Sequence, residues 1–202
     1  MKVLFIVPEI RLDSTPDNMP FWAGILAAIV QNKGGQVGIL DLNALRMKFD
    51  GKQVPMKVIS DEISAEKWDI VGIGGLTTTY SRIKEICPLI KKCSPDSLLV
   101  SGGGWASYNP DEILQLVPEL DLICIGEGEE TFSEIYDEME HGTNDFEKIN
   151  GLCLRDGTGF KFTGPRALIS DLNTVPYPAY DLFELDLYFK YSKALFSVES
   201  FN

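Results

Sequence analysis

Short runs of apolar, β-rich residues recur five times before residue 126, and helical stretches alternate with them. The runs are Lys2–Val7, Gln36–Leu40, Asp69–Ile73, Ser97–Val100 and Asp121–Ile125. Runs this continuous mark strands buried on both faces, because a half-exposed strand alternates apolar with polar residues. Between and after them lie Phe21–Asn32, a short stretch near Ser60–Glu66, Tyr80–Lys92, Pro110–Leu116 and Glu129–Met139. In Tyr80–Lys92 the residues Ile83, Ile86, Leu89 and Ile90 fall on one helical face. Asn109 and Pro110 supply an N-cap and a first helical position. Strands alternating with helices in this way pair in parallel through right-handed crossovers. The expected fold class is α/β, a doubly wound five-stranded parallel sheet of flavodoxin-like type, order 2-1-3-4-5, with helices on both faces. Order 3-2-1-4-5 fits the same alternation.

The pattern changes near Ile149. Gly151–Arg155 and Gly159–Thr163 flank Asp156-Gly157-Thr158 and read as a β-hairpin. Val175-Pro176-Tyr177-Pro178 favours extended backbone and cannot continue a helix. Residues 181–202 carry Leu, Phe and Tyr with no end signal and read as a connection onward. The expected division is residues 1–148 as the α/β domain and 149–202 as hairpin and linker.

Charge excludes one class of partner. Eighteen Lys and Arg stand against 30 Asp and Glu, a net charge of −12, so neither nucleic acid nor an anionic membrane surface is an expected partner. The longest apolar run, Phe21–Val30, is too short to span a bilayer. No small-residue cleavage site follows the apolar N-terminus, which makes the cytoplasm the default location. The four cysteines, Cys87, Cys93, Cys124 and Cys153, form no Cys-x-x-Cys pair and read as buried, unreactive thiols.

In open α/β sheets ligands bind beyond the carboxyl ends of the strands, where strand order reverses. The loops expected there are Pro8–Pro20, Gly74–Tyr80 and Gly102–Asn109. Gly74-Gly75 and Gly102-Gly103-Gly104 let backbone approach a ligand closely, and Thr77, Thr78 and Thr79 add hydroxyls. Neither Gly-x-Gly-x-x-Gly nor Gly-Lys-Ser/Thr is present, so the usual nucleotide loops are excluded. The chain also lacks a catalytic constellation. His141, the single histidine, reads as a helix C-terminal residue. Glu127, Glu129 and Glu130 are candidates for an acid site, although acids at a helix start also complement its dipole.

Several strings together resemble the cobalamin-binding N-terminal half of radical-SAM enzymes, the group of methyltransferases and the anaerobic oxidative cyclase of chlorophyll synthesis. They are Lys2–Pro8, Asp69–Tyr80, Val100–Pro110 and Asp121-Leu122-Ile123-Cys124-Ile125-Gly126-Glu127-Gly128-Glu129. Asn150-Gly151-Leu152, Arg155-Asp156-Gly157 and the linker-like Asp171–Leu182 extend the likeness over nearly the whole chain. The resemblance implies a corrinoid on the carboxyl edge of the sheet. Its nucleotide tail would run between Gly74–Tyr80 and Gly102–Ser107, lined by Leu76 and Thr78, with Gly102 and Gly103 allowing close passage. The cofactor-binding residues so implied are Gly74, Gly75, Leu76, Thr77, Thr78, Tyr80, Gly102, Gly103, Gly104, Ser107, Gly126, Glu127 and Gly128.

Three departures refine that expectation. The Asp-x-His-x-x-Gly motif that ligates cobalt in methionine synthases and mutases is missing, because the first loop holds Asp13-Ser14-Thr15 and Asp17-Asn18-Met19. The cobalt is therefore expected to have no protein imidazole and no other protein lower ligand. Gly74 stands where those enzymes place Ser. No Cys-x-x-x-Cys-x-x-Cys triplet is present, which assigns S-adenosylmethionine and the 4Fe-4S cluster to a downstream radical-SAM domain in cis. The chain alone is not expected to turn over a substrate. The alternative reading is a recognition module of the same fold, for substrate or partner, that has lost the corrinoid.

Overall fold

The first apolar run forms β1 (Lys2–Val7), the strand about which the sheet is wound. The protein is described by a computed structural model covering residues 1–157 and 159–191. The next four runs form β2 (Gln36–Asp41), β3 (Ile70–Gly74), β4 (Leu98–Gly102) and β5 (Leu122–Cys124). Parallel pairing joins β1 to β2 and to β3, β3 to β4, and β4 to β5. The hairpin strands β6 (Leu152–Asp156) and β7 (Gly159–Phe162) then add antiparallel to β5.

The result is a seven-stranded mixed sheet in the order β2-β1-β3-β4-β5-β6-β7. This corrects the expectation of a five-stranded parallel sheet with a separate hairpin. Without β6, the three buried residues of β5 would form an open edge. Leu152, Cys153 and Leu154 pair with Cys124, Ile123 and Leu122 and carry the apolar layers one strand further on both faces. Thr158 of the hairpin turn and residues 192–202 of the onward connection lie outside the described residues.

The helices are α1 (Phe21–Asn32), α2 (Leu42–Leu45), α3 (Met56–Ser64), α4 (Tyr80–Cys93), α5 (Gly104–Ser107), α6 (Pro110–Leu116), α7 (Glu129–His141) and α8 (Leu185–Tyr191). Period-two alternation sends Leu4, Ile6, Val71, Ile73, Leu99 and Ile123 to one face, under α2 to α6. It sends Val3, Phe5, Val7, Ile70, Val100, Leu122 and Cys124 to the other, under α1 and α7. Asn109 occupies the N-cap of α6, but its side chain makes no capping hydrogen bond.

Two buried arginines hold the loop after β1. Arg82 of α4 meets Glu9 through Nε–Oε2 at 2.9 Å and Nη2–Oε1 at 3.1 Å, with both side chains almost wholly buried. The same Oε1 accepts the Val54 N–H at 2.8 Å. Arg46 donates to Asn43 Oδ1, to Gly51 O and to Ser14 O, so the far part of the loop is tied as well.

After β7 the chain crosses back over α7 and α1. Arg166 pairs with Glu130 and Glu134 on α7. Ala179 N–H donates to Gly24 O at 3.0 Å. A Cβ on Gly24 would stand 2.8 Å from Pro178 Cβ, so the small outer side of α1 admits the strap only because residue 24 is glycine. At the β2 end, Tyr188 of α8 donates a hydrogen bond to Asp41, whose carboxyl burial raises above the ordinary carboxylate range.

Candidate functional site

A cavity of about 540 Å³ opens at the carboxyl end of the sheet, on the face covered by α1 and α7. Its floor is the end of four strands: Phe5 and Val7 of β1, Gly72 and Gly74 of β3, Val100 and Gly102 of β4, and Cys124 of β5. Because strand side chains repeat every two residues, Gly72, Gly74 and Gly102 leave the same face bare on neighbouring strands. Aromatic rings bound the space so made. Phe5 meets Trp22 of α1 edge-on at 6.1 Å and Phe132 of α7 at 5.1 Å. A Cβ on Gly72 would lie 2.7 Å from the Phe5 ring, and one on Gly74 would lie 3.3 Å from Trp22.

The rim is backbone-rich. Gly103 has φ +86 and its Cβ position is 3.0 Å from Gly75 O, so only glycine lets the β3 and β4 loops touch there. Gly104, Gly126 and Gly128 have no heavy atom within 4 Å of where a Cβ would stand. Side chains at those three positions would project into open space at the rim.

Nine of the residues implied by the sequence line this cavity: Gly74, Gly75, Leu76, Gly102, Gly103, Gly104, Gly126, Glu127 and Gly128. Thr77, Thr78, Tyr80 and Ser107 are not in its lining. Thr77 and Thr78 are exposed on a short 3-10 turn. Tyr80 packs against Trp105 at 5.9 Å, toward the opposite apolar layer. Ser107 closes the single turn of α5 by donating to Gly103 O at 3.0 Å. Sequence reasoning missed Phe5, Trp22, Gly72, Cys124 and Phe132. A signal was present in Gly72 and Gly74, two glycines at strand spacing within one buried run.

The three adjacent acids have different fates. Glu127 accepts the Ile169 N–H at 2.8 Å, and Glu130 pairs with Arg166 at 3.0 Å, so both hold the strap. Glu129 lines the cavity, and its Oε2 is buried with no hydrogen-bond partner among the described residues. His141 closes α7 at the other end, about 18 Å away along a helix rising 1.5 Å per residue.

Burial pushes the thiols of Cys87 and Cys124 up to about 12 from an ordinary 9.0. A raised folded-state value makes the neutral-thiol contribution to stability complete below pH 9.0 and progressively lost as pH climbs toward about 12. Urea-unfolding free energy is therefore expected to fall across that window, and Cys87→Ala is expected to flatten the slope. An unchanged slope in the variant would contradict the assignment.

The chain and its fold have counterparts among known proteins. An uncharacterized methyltransferase of Pyrococcus horikoshii is 30% identical over 93% of this chain, which covers 40% of that protein. The cytidylyl-2-hydroxyethylphosphonate methyltransferase of Streptomyces wedmorensis is 24% identical over 94% of this chain, which covers 42% of it. The chain thus spans about two fifths of the length of either relative. The same fold occurs in the cobalamin-dependent S-adenosylmethionine radical enzyme OxsB with aqua-cobalamin and S-adenosylmethionine bound (TM-score 0.76, 20% identity, 94% of this chain and 25% of that one). It also occurs in TsrM of Kitasatospora setae with cobalamin and a [4Fe-4S] cluster bound (TM-score 0.68, 19% identity, 87% and 31%). The family model for the B12 binding domain matches residues 10–136, a span that starts in the loop after β1 and takes in the glycine floor, the rim and most of α7, and the chain belongs to that family.

Proposed function

We propose that this chain is the cobalamin-holding part of a radical-SAM enzyme and that the carboxyl-edge cavity receives the nucleotide tail of the corrinoid. The cavity carries the reading. Its apolar walls suit a benzimidazole, its bare strand ends allow deep entry, and Gly104, Gly126 and Gly128 leave the rim open where side chains would fill it. Gly74, Gly75, Leu76, Gly102 and Gly103 would line the tail's passage. Thr77, Thr78, Tyr80 and Ser107 belong to the same two loops, where Thr77 and Thr78 would face the ring's periphery. When bound, the corrinoid supplies a cobalt centre suited to methyl transfer. The protein's own part is to orient it and exclude water from its tail. The family match disfavours the alternative of a module that has lost its corrinoid.

In this reading residues 1–148 carry the cofactor, and 149–202 form the hairpin and linker toward a radical-SAM domain in cis, which holds S-adenosylmethionine and the 4Fe-4S cluster. We place the protein in the cytoplasm, in keeping with its four free thiols. Among the described residues no helix is long and apolar enough to cross a membrane.

The test is absorption spectroscopy of the chain after incubation with hydroxocobalamin and removal of free ligand. One equivalent of retained corrinoid is expected. The Co(II) form should show no protein-nitrogen splitting in electron paramagnetic resonance and should be unchanged by His141→Ala. Failure to retain corrinoid would overturn the reading, and a splitting lost in the variant would overturn the absence of a protein lower ligand.

A further inference from the structure

We propose that Glu129 recognises the nucleotide end of the corrinoid by accepting a hydrogen bond from a ribose hydroxyl. This rests on the cavity being the tail site. The starting observation is the unequal use of three neighbouring carboxylates. Glu127 is taken by the Ile169 N–H and Glu130 by Arg166. Glu127 and Glu129 both line the cavity, but only Glu129 has an oxygen, Oε2, that is buried and unpaired among the described residues.

A carboxylate oxygen buried without a partner is costly, and a ligand that brings a donor removes the cost. Most of the cavity wall, including Phe5, Trp22, Val100 and Phe132, is apolar, and none of its side chains bonds to Oε2. Helix-start electrostatics alone would not require a buried oxygen, and Glu130 already places an acid in the first turn of α7.

The chemistry of the tail narrows the partner. An ionised carboxylate only accepts hydrogen bonds. The benzimidazole, substituted on its ring nitrogen, has no N–H to give. The phosphodiester is anionic and would be repelled. The amides of the corrin periphery are donors, but they belong to the ring and not to the tail. The ribose hydroxyls are the donors that the tail brings. Glu129 is thus a specificity residue, favouring corrinoids with a complete nucleotide over those without one.

The experiment compares cobalamin with cobinamide, which keeps the ring and its amides but lacks the nucleotide, on the parent chain and on Glu129→Leu and Glu129→Gln. Dissociation constants come from absorption titration, and thermal unfolding of each variant checks the fold. The parent is expected to prefer cobalamin. Glu129→Leu should lose about 10- to 100-fold in cobalamin affinity, the span of a charged hydrogen bond, with cobinamide affinity unchanged. Glu129→Gln keeps an acceptor of the same shape and should recover most of the loss, which separates recognition from folding. Equal cobalamin affinity in Glu129→Leu and the parent would overturn the assignment, as would equal losses for both corrinoids. A parent that binds neither corrinoid would instead overturn the cofactor reading itself.

Discussion

A phenylalanine at position 128 is expected to abolish cobalamin retention while leaving the protein folded. Gly128 lines the cavity, has ordinary right-handed backbone (φ −93, ψ −15), and has nothing within 4 Å of its Cβ position. A Cβ there meets open space, and the benzyl group it carries is expected to fill space that the tail needs. Gly128 sits at the N-cap of α7 without a capping side chain, so the helix loses at most about 1 kcal/mol. Affinity should fall at least about 100-fold, equivalent to about 2.7 kcal/mol. Gly103→Ala gives the contrasting outcome. With φ +86 and Gly75 O at 3.0 Å, even a methyl group strains the backbone, and stability should drop by about 1–3 kcal/mol. Calorimetric titration and urea unfolding on both variants check the pair. Unchanged binding in Gly128→Phe would mean that the tail does not use this cavity.

The largest stability effect is expected from Arg82→Met. The guanidinium is buried against Glu9 and also donates to Val54 O. Removing it strands a carboxylate whose side chain is 1% exposed, with the Val54 N–H as its one remaining donor among the described residues. Loss of one partner from a buried pair costs about 3–5 kcal/mol, a large part of an ordinary domain's stability. Replacing both residues, Glu9→Leu with Arg82→Met, should cost less than Arg82→Met alone, because no charge is then left behind. A single variant within about 1 kcal/mol of the parent would show that solvent reaches this pair. The loop after β1 should loosen in Arg82→Met, and corrinoid affinity should weaken with it.

The strands and the principal helices were legible because each carries its own signal. Lys2–Val7 and Asp69–Ile73 are continuous apolar runs, and Tyr80–Lys92 has helical spacing of isoleucines. The hairpin was legible as a hairpin, but its attachment to β5 was not, since the strand that an edge pairs with leaves no mark in local sequence. Helices α2 and α5, of four residues each, are too short to show a period. For the site, the glycine loops announced the rim. The depth beneath them was hidden, because Phe5, Trp22 and Phe132 read as ordinary core, and nothing local shows that Gly72 lets the Phe5 ring lie across β3 as a wall. Glu127, Glu129 and Glu130 look alike in sequence. What separates them is a strap arriving from about forty residues further on, Ile169 to one and Arg166 to another.

That strap also sets the size of the cooperative folding unit. A chain ending after the hairpin would retain all seven strands yet uncover the Gly24 side of α1, where Pro178 and Ala179 now rest, and take from Asp41 the Tyr188 hydroxyl that it accepts from. Helix α1 forms one wall of the cavity, so unpeeling its outer cover loosens the inner one. Sheet and strap are therefore expected to melt in one transition, and truncation before Tyr188 is expected to lower its midpoint.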